Sequence, residues 1–427
     1  MSYAHLSHEE LLAKQRELET AYKRLQEKHL SLNMARGKPS NEQLALSYKM
    51  LDVVTSETNL ILEDGTHCAN YGMSEGIPAA RALMGEIMQH PYDQVLVMGN
   101  SSLNIMYDLI VSGMLLGYDG QRPWAQLDAI KWLCPVPGYD RHFRILETLG
   151  IEMIPTTMTE HGPDMDEVER LVATDENIKG IWCVPQYSNP TGITYSDETV
   201  LRLAAMKTAA PDFKIFWDNA YCVHHLYESN QDHVLNIAIA CAQAETKNRY
   251  FAFASTSKVT LPGNGIAAVA ASKRNIDLIA KRIGVETVGY DKINQLRHVL
   301  FLKDKQGVEA LMMQHARIIA PKFELVINML NEHLRDTGAS WQVPKGGYFI
   351  NFEGVFCTAK RTVELCKNAG VTLTDAGATW PYGNDPHDSN IRIAPTLPPI
   401  EELQDAMEVF VVCNKLATVE TLLKTNA

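Results

Sequence analysis

Residues 213–221 read Phe-Lys-Ile-Phe-Trp-Asp-Asn-Ala-Tyr: a short, mainly apolar run that ends abruptly in Asp218, Asn219 and Tyr221. Apolar on both alternating faces, Phe213–Trp217 suits a strand in a sheet covered by helices on either side. The same pattern recurs around it. Upstream, Gln94–Met98 (QVLVM) runs into Gly99-Asn100-Ser101-Ser102, and Gly180–Val184 (GIWCV) runs into Pro185 and then Asn189-Pro190-Thr191-Gly192. Downstream, Tyr250–Ala254 (YFAFA) runs into Ser255-Thr256-Ser257-Lys258. Ala129–Leu133, Ile151–Ile154 and Gly265–Ala271 are further runs of this kind.

Helical segments separate many of these runs. Ser102–Leu116 carries Leu103, Met106, Tyr107, Ile110 and Met114 at helical spacing, and Asp164–Ala173 is a second such segment. The alternation predicts an α/β fold whose large domain holds a mainly parallel, seven-stranded sheet covered by helices. In a parallel sheet the carboxyl ends of the strands share one edge, where open α/β folds bind ligands. The four polar clusters are therefore expected to converge.

Toward the ends of the chain the pattern changes. Ser7-His8-Glu9-Glu10 reads as a capping box opening a helix that runs to about Leu30. Its apolar stripe (Leu11, Leu18, Tyr22, Leu25) is thin and needs a neighbour to cover it. After Lys303, amphipathic helices extend to about Arg335, and Lys345-Gly346-Gly347 forms a corner. Short strands are expected at Tyr348–Phe352 and Ile391–Ile393, and a last helix from Pro398-Pro399 toward Leu423. This divides the chain into an N-terminal helix and segment (1–49) that packs on a smaller domain, a large α/β domain (50–309), and a small C-terminal α+β domain (310–427).

The 427 residues are 46% hydrophobic and 21% charged, an ordinary globular mixture. Lys+Arg of 39 against Asp+Glu of 51 leaves a net charge of −12, which disfavours nucleic acid as a partner. No apolar stretch approaches the ~18 residues of a membrane span. The start, MSYAHLSHEELLAKQ, carries charge where a signal peptide needs an apolar core. The eight cysteines are scattered without a CxxC pair, and the fourteen histidines lack paired metal spacing. No metal is expected, and free thiols point to a reducing cytoplasm. There is no P-loop and no HExxH, and Gly263-x-Gly265 lacks the third glycine of a dinucleotide fingerprint.

Singly, each polar cluster has a plain reading. Asp218 is a turn carboxylate, Asn189–Gly192 a turn, Ser101-Ser102 a helix cap, and Lys258 a solvated lysine. Together they suit one task, which is holding an aldehyde cofactor that carries a phosphate and a pyridine ring. A lysine amine forms an imine with the aldehyde, most readily where its ammonium form is disfavoured. A carboxylate keeps the pyridine nitrogen protonated, which turns the ring into an electron sink. An asparagine and a tyrosine can bind the phenolic oxygen, and hydroxyls and amides at a helix start suit the phosphate.

The order Gly99-Asn100-Ser101-Ser102, Asn189-Pro190-Thr191-Gly192, Asp218-x-x-Tyr221, Ser255-x-Ser257-Lys258 and a late Arg392 resembles fold-type-I pyridoxal-phosphate aminotransferases of the aspartate aminotransferase superfamily. The resemblance extends from about Arg36 to Thr396. LNMARGKPS (32–40), NYGMSEGIPAAR (70–81), CPVPGYDRHF (134–143) and STSKVTLPGNG (255–265) are similar to a divergent bacterial-type subgroup of aspartate aminotransferases.

The resemblance implies pyridoxal 5'-phosphate as cofactor and a catalytic set of Lys258, Asp218 and Tyr71. Lys258 would form the internal aldimine and shuttle the proton, Asp218 would pair with the pyridine nitrogen, and Asn189 and Tyr221 would bind the phenolic oxygen. Ser255, Ser257 and the Asn100-Ser101-Ser102 loop would hold the phosphate, and Tyr139 would stack on the ring. Tyr71 would reach the phosphate of a neighbouring subunit, which implies a homodimer with shared sites. Arg392, with Gly37 and Asn189, would bind the substrate, the arginine gripping its α-carboxylate as a bidentate fork.

The implied activity is transamination of aspartate with 2-oxoglutarate to oxaloacetate and glutamate, in the cytoplasm. A β-lyase, an aminotransferase for another amino acid and a non-catalytic ligand sensor are the alternatives. A dicarboxylic substrate needs a second cation, for which Arg36, Lys38, Arg141 and Arg297 are candidates. Two departures from the family pattern stand out. Val259–Gly265 lacks the phosphate-binding arginine, for which Asn264 or backbone amides would substitute, and Pro135-Val136-Pro137 stands where many relatives carry an aromatic.

Overall fold

Asp218 closes a fully buried strand in the middle of an eight-stranded sheet. The computed structural model describes residues 3–425. A two-residue strand, β1 (Leu32–Asn33), precedes the strands of this sheet: β2 (Val95–Val97), β3 (Lys131–Val136), β4 (Glu152–Thr159), β5 (Gly162–Pro163), β6 (Ile178–Cys183), β7 (Lys214–Asp218), β8 (Tyr250–Ser255) and β9 (Ala267–Ala270). Their spatial order is β2-β9-β8-β7-β6-β3-β4-β5. Neighbours from β4 through β3, β6 and β7 to β8 are parallel. β9 lies antiparallel between β8 and β2, so β2 points the same way as the parallel set.

All seven apolar runs form strands of this sheet. The eighth strand, β5, is a correction to the seven expected. It is a two-residue return from β4, pairing Met158 with Pro163, that turns through Gly162 at φ +124°. A turn this short leaves no apolar run to read.

Both faces of the sheet are covered, which is why its strands read as continuous apolar runs. Ile181, Ile215, Trp217 and Ala252 enter one core cluster. Alternating with them, Trp132, Trp182, Phe216 and Phe251 fill the cluster on the opposite face.

The first helix, α1 (His8–Glu27), opens on the expected capping box. Ser7 Oγ accepts from Glu10 N, and the Glu10 carboxylate accepts from Ser7 N at 2.7 Å. It stops short of Leu30 because His29 adopts φ 48° and the chain turns into β1. Leu11, Leu18 and Leu25 pack in one cluster with the last helix, Ile400–Thr425, and Lys28 Nζ bridges Asp405 and Glu408 at 3.1 Å each.

Four more helices are α2 (Asn41–Ala45), α3 (Pro78–Met88), α4 (Ser102–Leu116), which follows β2, and α5 (Asp140–Thr148), which follows β3. A second, antiparallel sheet is formed by β10 (Ser340–Trp341), β11 (Ile350–Glu353) and β13 (Asn390–Ile393), while β12 (Val371–Thr372) pairs in parallel with β1. The 29-residue helix Lys305–His333 runs from one core cluster, through Val308 and Leu311, to the other, through Phe323 and Leu330. Among the described residues no helix is long and apolar enough to cross a membrane.

Candidate active site

Because β2, β3, β6, β7 and β8 run in one direction, the loops that leave them meet at one edge. Ser101, Ser102, Tyr139, Asn189, Asp218, Tyr221, Ser255, Ser257 and Lys258 line a cavity of about 810 Å³ there, together with Gly37 and Arg392. A smaller cavity of about 320 Å³, lined by Trp217, Asn219 and His225, contains none of them.

Ser101 is the N-cap of α4, and its Oγ accepts from Asn104 N at 3.4 Å. Ser255 Oγ donates to Ser257 Oγ, and Ser257 Oγ donates to the Asn100 carbonyl, both at 3.2 Å. Hydroxyls from two loops thus meet beside free N–H groups of a helix start, an arrangement suited to an anion. Asn100 itself is exposed at the rim and outside the cavity lining, its Nδ2 donating to the Gly263 carbonyl at 3.4 Å.

Asp218 is 3% exposed. Its Oδ2 accepts from His142 Nε2 at 2.9 Å, whereas Oδ1 is buried without a partner. An orphaned carboxylate oxygen in a buried position is costly unless a bound group donates to it. A protonated pyridine nitrogen would do so. His142 sits on the first turn of α5, with its ring stacked on Trp182 at 4.1 Å and 9°. Sequence reasoning missed it, since nothing in its spacing separates it from the other histidines.

Lys258 Nζ lies 5.1 Å from the Tyr221 ring centroid and 6.0 Å from that of Tyr348. Burial holds its amine below the usual lysine range, and the nearby Asp218 charge offsets part of that effect. Burial, with added repulsion from Tyr139 and Asp218, pushes the Tyr221 phenol well up. Tyr139 is pushed up to about 12, by burial first and then by Asp218 and Asp140. Its ring meets His142 edge-on, at 4.9 Å and 74°.

Arg392 lies on β13 and is 6% exposed. One guanidinium nitrogen donates to Asp140 Oδ1 at 2.9 Å and Asn189 Oδ1 at 3.2 Å, and the other to Thr374 Oγ1 at 3.4 Å. The group lies 4.7 Å over the Phe349 ring, and its Nε is buried without a partner. Both terminal nitrogens are thus engaged, and Nε is the one donor left without a partner. Gly37 packs so closely here that a Cβ would stand 2.6 Å from Phe349 Cζ. Asp140, Thr374 and Phe349 all went unread in the sequence.

Tyr71 is 85% exposed and away from this cavity. Its loop is pinned by buried Lys292, whose Nζ donates to the carbonyls of Asn70 at 2.6 Å and Gly72 at 2.8 Å. Of the four candidate second cations, Arg36, Lys38 and Arg141 line the cavity. Arg297 does not, and it donates to Asn294 Oδ1 at 2.6 Å. Exposed Asn264 is also outside the lining.

Residues 6–426 match the family described as aspartate amino-transferase. An aspartate aminotransferase of Corynebacterium glutamicum is 43% identical over 95% of this chain and 93% of its own length. The crystal structure of an aspartate transaminase from C. glutamicum superposes with a TM-score of 0.96 at 42% identity, covering 99% of both chains. The α-aminoadipate aminotransferase LysN of Thermus thermophilus, at 18% identity and a TM-score of 0.71 over 92% of this chain and 93% of its own, shares the fold. The sheet edge, the cavity and these likenesses lead to one conclusion: the chain is an aminotransferase of fold type I and belongs to the aspartate aminotransferase family.

Proposed function

We propose that this aminotransferase depends on pyridoxal 5'-phosphate and moves an amino group from aspartate to 2-oxoglutarate, giving oxaloacetate and glutamate. The observation that carries the reading is the unpartnered Oδ1 of buried Asp218 in the cavity that also holds Lys258 and Arg392. The 43% identical relative named as an aspartate aminotransferase supports the choice of substrate. When bound, the cofactor supplies an aldehyde that joins to amines and a ring that draws electrons from the substrate α-carbon.

The chain's own residues do the rest. Asp218 would accept the ring N–H through Oδ1, while His142 holds Oδ2. Asn189 gives Oδ1 to Arg392, which would leave its Nδ2 to donate, with Tyr221, to the ring's phenolic oxygen. Ser101, Ser102, Ser255 and Ser257 would hold the phosphate, with Asn100 at the rim, and Tyr139 would lie over the ring. Lys258, kept short of protons by burial, would take the proton from the substrate α-carbon. Arg392 would receive the α-carboxylate beside Gly37. Tyr71 would reach the site of a second copy, making the working unit a homodimer, placed in the cytoplasm, in which residues 50–309 carry the cofactor and residues 310–427 supply Arg392.

The test is a panel of amino donors and 2-oxoacids assayed on purified protein with added cofactor. Aspartate turnover that requires a 2-oxoacid is the expected result. Turnover without any 2-oxoacid, releasing ammonia and pyruvate from a cysteine conjugate, would overturn it in favour of a lyase.

A further inference from the structure

The helix Lys292–Leu302 lies outside the cavity, yet four of its polar side chains, at 292, 294, 295 and 298, are buried. Each binds a segment that leads to the site. Lys292 clamps the Tyr71 loop. Gln295 accepts from Ile77 N at 2.8 Å and donates to the Val97 carbonyl at 3.3 Å, where β2 runs out toward Asn100. Asn294 Nδ2 donates to the carbonyls of Asn264 at 3.1 Å and Gly265 at 3.0 Å, at the end of the segment after Lys258.

His298 grips the turn that carries Lys258. Its Nδ1 faces the Asn294 carbonyl at 2.8 Å. A carbonyl only accepts, so Nδ1 holds the ring proton and Nε2 is left as an acceptor. Nε2 meets Thr256 Oγ1 at 3.1 Å and Thr260 Oγ1 at 3.0 Å, two residues to either side of Lys258. Thr260 N donates to the Thr256 carbonyl at 2.8 Å, which closes the turn, and Thr256 Oγ1 accepts from Ile266 N at 2.9 Å. Burial first, then the Arg297 charge, favours the neutral ring, against the Asn294 carbonyl and Asp291. The Lys258 amine lies among Asp218, Tyr221, His224 and Tyr348. Among the described residues none of these hydrogen-bonds it, so the backbone beneath sets where it points.

We propose that His298 is a positioning residue for the reaction: by accepting from the hydroxyls of Thr256 and Thr260 it fixes the turn that aims the Lys258 amine into the cavity. The proposal rests on the reading of Lys258 above as the lysine that joins the cofactor and moves the proton.

The test uses the full-length protein freed of cofactor. Lysines are methylated with formaldehyde and cyanoborohydride across a pH series, and each site is read by peptide mass spectrometry. His298→Leu should move the Lys258 midpoint upward by about 1–2 pH units, part of the ~3–5 units that full burial commands. Exposed Lys273 should keep its own midpoint. In the loaded enzyme kcat should fall by about 10- to 100-fold, as when a reacting group is misplaced. His298→Gln, which retains an acceptor, should restore most of both, and Thr260→Val should shift the midpoint the same way by less. Wild-type protein that gives no borohydride-trapped adduct of pyridoxal 5'-phosphate at Lys258 would defeat the cofactor reading itself. A Lys258 midpoint unmoved in either His298→Leu or Thr260→Val, a shift shared by Lys273, or a His298→Gln protein no better than His298→Leu would defeat the assignment of His298.

Discussion

His142 Nε2 stands 2.9 Å from Asp218 Oδ2, with both side chains buried. A carboxylate oxygen can only accept, so Nε2 carries the proton and the imidazole pins one oxygen while leaving the other free. His142→Phe keeps the ring packing and removes the donor. Loss of a hydrogen bond to a charged group costs roughly 1.5–3 kcal/mol, so cofactor affinity should weaken by about 10- to 100-fold. A spectroscopic titration of the apoprotein measures this, and an unchanged dissociation constant would show that His142 does not position Asp218.

Lys258→Ala removes the group that moves the proton. Turnover should fall by at least about 10³-fold, within the range that one general acid–base group contributes. Because burial disfavours its charge, removing the amine should leave the melting temperature close to that of the wild type. Both are simple measurements, and substantial turnover in the variant contradicts the assignment.

Arg392→Lys replaces a fork by a point charge. Asp140, Asn189 and Thr374 orient the planar guanidinium, and a shorter, single-centred ammonium cannot reproduce that fork. KM for the amino acid should rise by about 10- to 100-fold with a smaller change in kcat. The KM-against-kcat split in steady-state kinetics checks it.

His315 links three segments around the site. Its Nε2 donates to the Val259 carbonyl at 3.1 Å and its Nδ1 accepts from Gln43 Nε2 at 3.0 Å, while the same Gln43 nitrogen donates to Tyr348 at 3.0 Å. Burial pushes this imidazole down to about 4, and His298 likewise. The unfolded chain takes up these protons near pH 6.5, before the folded one does. The stability each neutral ring contributes is therefore present above that pH and lost as pH falls toward 4. At pH 5 the share of His315 is about 2 kcal/mol. Urea unfolding at pH 7 and pH 5 should show a difference smaller by about that amount in His315→Gln; a difference equal to the wild type's contradicts the linkage.

Tyr71 projects into solvent from a loop clamped by Lys292. If it serves a second copy, Tyr71→Ala and Lys258→Ala subunits should each be poorly active alone yet complement when mixed. Random pairing places one intact site in half of the dimers, which restores about a quarter of wild-type activity. No gain on mixing refutes the shared site.

The strands were legible because the sheet is covered on both faces, so burial wrote itself as unbroken apolar runs such as Tyr250–Ala254. The polar ends Asn189, Asp218 and Lys258 were legible because each follows such a run directly. What escaped depends on reach across the fold. Asp140 and His142 contribute from a helix that follows a different strand, and Phe349 and Thr374 meet Arg392 only after the second sheet docks. Spacing along the chain holds no record of those approaches. Among the candidate second cations, charge alone could not separate Arg297 from Arg141; only the placement of α5 does.

The ring pile beneath the acid gives the protein an optical gauge of its own. Trp182 stacks on His142 at 4.1 Å and meets Trp132 at 5.5 Å, and Trp132 meets Trp124 at 6.0 Å. Excitation absorbed deep in the sheet thus sits one imidazole away from Asp218. Indole emission should dim as a chromophore settles there, so loading and release can be followed by eye of the fluorimeter without a label.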